Sequence, residues 1–269
     1  MLNFTQMRKG VLMYQIGRKK KRTINGNALR TWALLFLAAG VIGRGVIQNH
    51  ILGVGQLTTQ QLLDVMGSSQ QAMSLVTASL VLQALETCAV PLYTLMLVEG
   101  VQNTSSFPAY FKRILTVAVL CELPYNMAMH GQLLHFGNRN PVFALVMCLV
   151  MLYMFSRFPE GKKSNVLVKA VICIAAIAWC EMLKIEYGSA SVIITATMWA
   201  FRKNSLYRNF AGAAAAIVCT VMSMYFLAAP MAFMIIHGYD GEKSTNSRAV
   251  NYLSYPVILL AASAAGLVL

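Results

Sequence analysis

Glu86, Glu99 and Glu122 fall inside or at the edges of apolar runs, and the pair Lys112-Arg113 lies between the last two in sequence. An ionisable side chain at bilayer depth is costly unless it is paired or faces a cavity, so each of these is a candidate for function. Two kinds of chemistry are implied. A carboxylate between helices holds or transfers a proton, and a cation at a helix end holds a phosphate or a carboxylate. Glu99 and Arg113 flank one short connection, where they either form an ion pair or present a cation to a phosphate. Glu86 and Glu122 sit deeper, either hydrogen-bonded between helices or lining a polar path.

Arg44 occupies the interior of the first apolar run beside Gly40, Gly43 and Gly45, small residues that permit close helix approach. It is expected to face the bundle. The histidines His50, His130, His135 and His237 are expected at outer ends of spans, near Glu181, Glu186 and Asp240. A histidine beside a carboxylate acts as a general base or accepts an acyl group near neutral pH, and interfacial histidines also simply anchor helix ends.

The elements that must position these groups are membrane helices. The chain is 58% hydrophobic and 12% charged, with a mean hydropathy of +0.60, too apolar for a soluble domain. About eight apolar runs, near 31–52, 74–101, 114–129, 142–156, 166–183, 189–201, 210–237 and 250–269, are long enough or nearly long enough to cross a bilayer. The expected fold is an all-α polytopic transmembrane helix bundle, residues 31–269, behind a basic tail, residues 1–30. Pro91 removes a backbone hydrogen bond, which predicts a kink or a freed carbonyl near Leu85 to Thr87.

Lysine and arginine set the orientation. The tail carries Arg18-Lys19-Lys20-Lys21-Arg22, suited to the inner leaflet, and lacks the cleavage site of a removable signal peptide. Lys112, Arg113, Arg157, Lys162, Lys163, Lys169, Arg202, Lys203 and Arg208 mark inner flanks, against Arg139, Lys184, Lys243 and Arg248 outside, so both termini are expected in the cytoplasm. The net charge of +13 is then explained by this flanking pattern and by anionic lipid, without nucleic acid. Cys88, Cys121, Cys148, Cys173, Cys180 and Cys219 all lie in apolar segments without a CxxC, so neither a disulfide framework nor a metal site is expected. No phosphate loop, HExxH, GxSxG or dinucleotide glycine motif is present, and no repeat of 20 to 50 residues is visible.

Residues 91–127, PLYTLMLVEGVQNTSSFPAYFKRILTVAVLCELPYNM, resemble the central signature of the TraX family, membrane proteins typified by the acetylase of conjugative pilin. The positions that carry the resemblance are Pro91, Glu99, Gly100, Thr104, Tyr110, Arg113, Glu122 and Pro124, with looser echoes at Asn140 to Leu145, Glu186-Tyr187-Gly188 and Tyr255-Pro256. Members tend to carry an Asp-His pair in the first span and a histidine shortly after Tyr-Pro in the last. This chain has Gly43-Arg44 and Ile258 there.

The resemblance implies transfer of an acetyl group from cytoplasmic acetyl-CoA to an acceptor at or beyond a bacterial plasma membrane, without a metal. On that reading Arg113, Glu99, Lys112 and Arg44 serve the cofactor, and Glu122, His50 and Glu86 the chemistry. Membrane lipid, a protein acceptor or the subunits of a membrane complex are the expected partners. Two other readings use the same residues: a catalytically inactive membrane subunit, and a small-solute transporter.

Overall fold

The computed structural model describes residues 24–53, 59–159, 163–242, 244–245 and 248–268. The basic run Arg18 to Arg22, Lys162 and Lys243 lie outside the described residues. Helix α1 (Gly26–Gly40) opens where the Asn25 side chain accepts the amide of Ala28 at 2.9 Å, and it continues as a π-helical segment, Val41–Ile51. There the amide of Leu52 donates to Ile47 five residues back. This wider winding turns Arg44 inward. The glycines act as expected. A Cβ on Gly43 would lie 2.9 Å from the Ser79 carbonyl, and one on Gly45 2.9 Å from that of Ala128, so the segment lies against two neighbouring backbones.

After α2 (Thr59–Ser68), helices α3 (Gln70–Glu86) and α4 (Ala89–Asn103) form one broken rod. The break falls at Thr87 and Cys88, four and three residues before Pro91, as the proline predicts. It leaves Glu86 at the last turn of α3. Helix α5 (Phe107–His130) turns back, packs against the π-helical segment and ends where Gly131 adopts a left-handed backbone, φ 65°.

Helices α6 (Val142–Arg157), α7 (Lys163–Met182) and α8 (Gly188–Ala200) form a second layer, with α8 buried between α4, α6 and α7. Helices Gly26–Ile51, Gln70–Asn103 and Ser164–Met182 are each long and apolar enough to cross a membrane. Phe107 stacks on Tyr153 at 4.9 Å, which puts the end of α6 beside the start of α5.

The stretch 210–237, expected as one span, is not one. Helix α9 (Ser205–Val218) rises only about 21 Å. Three short 3₁₀ turns between Cys219 and Met231 then reverse the chain, and α10 (Ala232–Gly238) runs back. The tip of this hairpin rests on the α3–α4 break, where the Thr87 hydroxyl donates to the Tyr225 carbonyl at 3.0 Å and the Cys88 thiol to that of Ala228 at 3.1 Å.

The loop that follows therefore lies at the Gly26 end, not the far end. Ile24 pairs with Tyr239, the Asn27 amide donates to the Thr245 hydroxyl at 2.8 Å, and the Tyr239 hydroxyl donates to Glu99 at 3.0 Å. Burial, reinforced by Glu99, pushes the Tyr239 phenol above its ordinary range. Helix α11 (Arg248–Val268) consequently starts at the Gly26 end and runs parallel to α5, until the Ser263 hydroxyl meets the Pro124 carbonyl at 3.3 Å. Because the hairpin doubles back, the first and last described helix ends lie at opposite ends of the bundle. His237 is likewise at the Gly26 end, apart from the other histidines.

This arrangement sorts the charges more cleanly than the expected one. Arg248 joins Lys112, Arg113, Arg157, Arg202, Lys203 and Arg208 at the Gly26 end, and Arg139 and Lys184 lie at the opposite end. Single cysteines replacing Thr245 and His135 in a cysteine-free background should react with a membrane-impermeant thiol reagent from opposite sides of the membrane. Labelling of both from one side would contradict this topology.

Candidate functional site

Arg44, projecting from the π-helical segment, forms ion pairs with Glu86 of α3, at 3.0 Å, and with Glu186 of the α7–α8 turn. It also donates to the Tyr187 hydroxyl at 2.8 Å, and that hydroxyl donates to the same Glu86 oxygen at 3.0 Å. The Tyr125 hydroxyl donates to the second oxygen of Glu186. One guanidinium thus sits between two carboxylates, each also bound by a tyrosine. The Glu86 side chain is 1% exposed.

Local backbone holds these groups in place. Gly40 leaves room for the Glu86 carboxyl, which a Cβ there would strike. Tyr187 takes a left-handed backbone, φ 56°, at the start of α8, and a Cβ on Gly188 would approach Cys180 to 2.7 Å. The turn is anchored from outside by the amide of Arg139, which donates to the Lys184 carbonyl at 2.9 Å, and by that of Glu186, which donates to the Arg139 carbonyl at 3.1 Å. A non-glycine residue held in this region is costly and persists only where its surroundings dictate it.

The expected site residues do not gather in one place. Glu86 and Arg44 belong to the cluster. Glu122 is engaged elsewhere: Arg139 donates to one of its oxygens at 2.9 Å and the Asn140 amide to the other at 2.6 Å, which fixes the loop before α6. Glu99 does not pair with Arg113 but with Arg208 of α9, at 3.6 Å, and with Tyr239. The Arg113 Nε donates to the Ala109 carbonyl of its own helix, and Lys112 is exposed. Chain proximity across the α4–α5 connection did not become contact, because α9 brings a cation to Glu99 from another direction.

His50 lies at the end of the π-helical segment with its Nε2 buried. His130 stacks on His135 at 3.9 Å and meets the Tyr125 ring edge-on at 6.0 Å. The histidine pair therefore approaches the cluster from the far side of Tyr125.

A narrow cavity of about 130 Å³ leads to the cluster. Arg30, Tyr110 and Tyr252 line it toward the Gly26 end, and Glu86, Tyr187 and Tyr255 line its deep end. From Arg30 to Gly40, which touches Glu86, α1 rises about 15 Å. The lining residues of the cavity thus extend over about 15 Å of the bundle. Gly100 explains part of its wall, since a Cβ there would collide with the Tyr110 ring.

Among the described residues, the buried side-chain polar atoms that lack a hydrogen-bond partner all come from the helices around Arg44. They are the Arg44 Nε, His50 Nε2, Glu86 Oε1, Asn126 Oδ1, His130 Nε2 and Tyr255 hydroxyl. Each such atom costs about 1–3 kcal/mol when left unpaired in a dry interior. Their concentration in one region makes it the candidate polar site of the bundle.

Arg30, Tyr125, Glu186, Tyr187 and Tyr255 were not singled out as site residues from sequence. The signals were faint: a Glu-Tyr-Gly turn between apolar runs, and a tyrosine before a proline in the last one. Arg44→Ala should leave Glu86 and Glu186 without their shared cation and cost about 3–5 kcal/mol. Thermal unfolding in nanodiscs measures this, and adding Glu186→Gln should recover part of the loss. Strictly additive effects would contradict the shared pairing.

No curated protein and no solved structure matches the chain. A family profile does: that described as TraX protein, over residues 25–264. The match runs from the cap of α1 into the last helix and takes in every residue of the Arg44 cluster. The chain belongs to the TraX family.

Proposed function

We propose that this protein is a membrane acyltransferase that moves an acetyl group from acetyl-CoA to an acceptor reaching the site from the opposite side of the membrane. The observation that carries the reading is the cavity between Arg30 and the Arg44 cluster, which ends among unpartnered buried polar atoms. By the positive-inside rule the Gly26 end faces the cytoplasm, where acetyl-CoA is found, and a bacterial plasma membrane is the corresponding location. Family membership supports the reaction class.

Roles follow from position. Arg30 lines the cavity and Arg113 lies within electrostatic reach of Tyr110, so together they suit the phosphates of the donor. The cavity suits an extended arm whose thioester reaches Glu86. Glu86 keeps one oxygen fixed by Arg44 and Tyr187 and leaves Oε1 without a partner, in position to take the proton of an acceptor hydroxyl or amine. His130 and His135 line the approach for that acceptor. Glu122 acts as a structural pin in this scheme.

One observation favours a second reading, an inactive membrane subunit of a larger assembly: the family's histidine positions are filled here by Gly43-Arg44 and Ile258. Calorimetry of acetyl-CoA with the full chain in nanodiscs separates the two. The acyltransferase reading expects micromolar binding, weakened about tenfold by Arg30→Ala. It also expects thiol release from acetyl-CoA, with hydroxylamine as acceptor, to fall at least ~100-fold in Glu86→Gln, measured on protein that is still folded at the assay temperature. A folded protein that binds no acetyl-CoA would overturn the enzyme in favour of the subunit.

A further inference from the structure

The buried tyrosines around the site differ in one respect. Tyr125 and Tyr187 each donate their hydroxyl to a carboxylate, of Glu186 and Glu86 respectively, and at the Gly26 end Tyr239 does the same to Glu99. Tyr255 of α11 is 5% exposed, and its hydroxyl has no partner among the described residues. The ring is held by packing, within a buried cluster that includes Leu37, Val41, Cys121, Tyr125 and Leu259. Tyr255 lines the cavity together with Glu86 and Tyr187, within electrostatic reach of Glu86, Tyr125 and Arg44. A buried, unpaired hydroxyl on a residue that lines a cavity is a donor available to a ligand acceptor.

Resting on the acyltransferase reading, we infer that Tyr255 is a further catalytic residue, whose hydroxyl donates a hydrogen bond to the carbonyl oxygen of the acyl thioester. The acceptor's oxygen or nitrogen forms a bond to the carbonyl carbon while its proton passes to Glu86 Oε1. The carbonyl π electrons move onto oxygen, where Tyr255 binds the developing charge. When the carbonyl re-forms, the C–S bond breaks and the departing thiolate takes the proton back from Glu86. The sum is a thioester and an acceptor H–X giving an acetylated acceptor and a free thiol.

Charge balance favours this division of labour. Glu86 and Glu186 already outnumber Arg44, so an extra oxyanion is disfavoured on its own. Proton uptake by Glu86 removes one negative charge from the cluster at the step where Tyr255 receives one. The cluster's net charge stays constant through the transition state.

The test exploits the absence of a partner. Since the hydroxyl supports nothing in the fold, Tyr255→Phe should leave the melting temperature unchanged or raised. Its kcat for thiol release from acetyl-CoA, with hydroxylamine as acceptor, should fall about 100-fold, with KM for acetyl-CoA within about threefold of the unaltered protein. Infrared difference spectra of acetyl-CoA carrying carbon-13 at the thioester carbonyl read the bond directly. The bound carbonyl band should lie below that of free acetyl-CoA, return toward it in Tyr255→Phe, and move further down with a fluorotyrosine at position 255, a stronger donor of nearly the same shape. If the unaltered protein turns over acetyl-CoA and Tyr255→Phe matches it in rate and carbonyl band, the Tyr255 assignment is wrong and the acyltransferase reading stands. If the unaltered protein neither binds nor turns over acetyl-CoA, both fall together.

Discussion

A guanidinium cannot stay in a dry bundle without counter-charge at hydrogen-bond distance, and much of this architecture satisfies that demand for Arg44. Its carboxylates come from separate places, the end of α3 and the turn before α8, so the helices carrying them must meet. Gly40 and Gly43 let α1 and its π-helical extension close on α3, and Gly45 does the same toward α5. The α7–α8 turn bends to deliver Glu186 and Tyr187 and is tied to the 139–140 strand-like loop, which Glu122 holds in turn. A second ion pair thereby supports the first at one remove.

Irregular backbone in the bundle occurs in two places that complete each other. Pro91 breaks the α3–α4 rod, and the hairpin between α9 and α10 reverses through 3₁₀ turns at the same level. Hydrocarbon offers such segments no hydrogen bonds, so irregular backbone survives only where protein supplies them. Here Thr87 and Cys88 donate to carbonyls of the hairpin tip. The break also ends α3 at Glu86, so the requirement of the hairpin and that of the ion cluster are met by one proline.

The helical membrane character, the inward Arg44, the role of the glycines and the Pro91 break were legible in the sequence, because each is a local exception within a strong apolar pattern. Pairing across space was not. Glu99 and Arg113 are neighbours along the chain, yet the cation that reaches Glu99 is Arg208, delivered by a helix whose packing hydropathy does not encode. The run 210–237 is apolar enough to be read as a span, and hydropathy alone does not register that Ser223 and Pro230 punctuate it into pieces too short to cross. Glu186 and Tyr187 sit in a polar turn, where a carboxylate is ordinary. Only the fold shows that the turn folds inward.

The hairpin also has a consequence for how the protein is made. A segment whose two arms are each too short to span cannot be retained in the bilayer as an independent helix during synthesis, and its turns find hydrogen-bond donors only on a rod already in place. The hairpin rests on the rod formed by segments upstream of Ser205, and α11 lies against α5. The direction of that last helix is inherited from the hairpin's failure to cross. A change that lengthened α9 into a full span would turn α11 the other way and carry Tyr255 out of the site. Orientation of the final helix and completeness of the polar centre thus both depend on the hairpin.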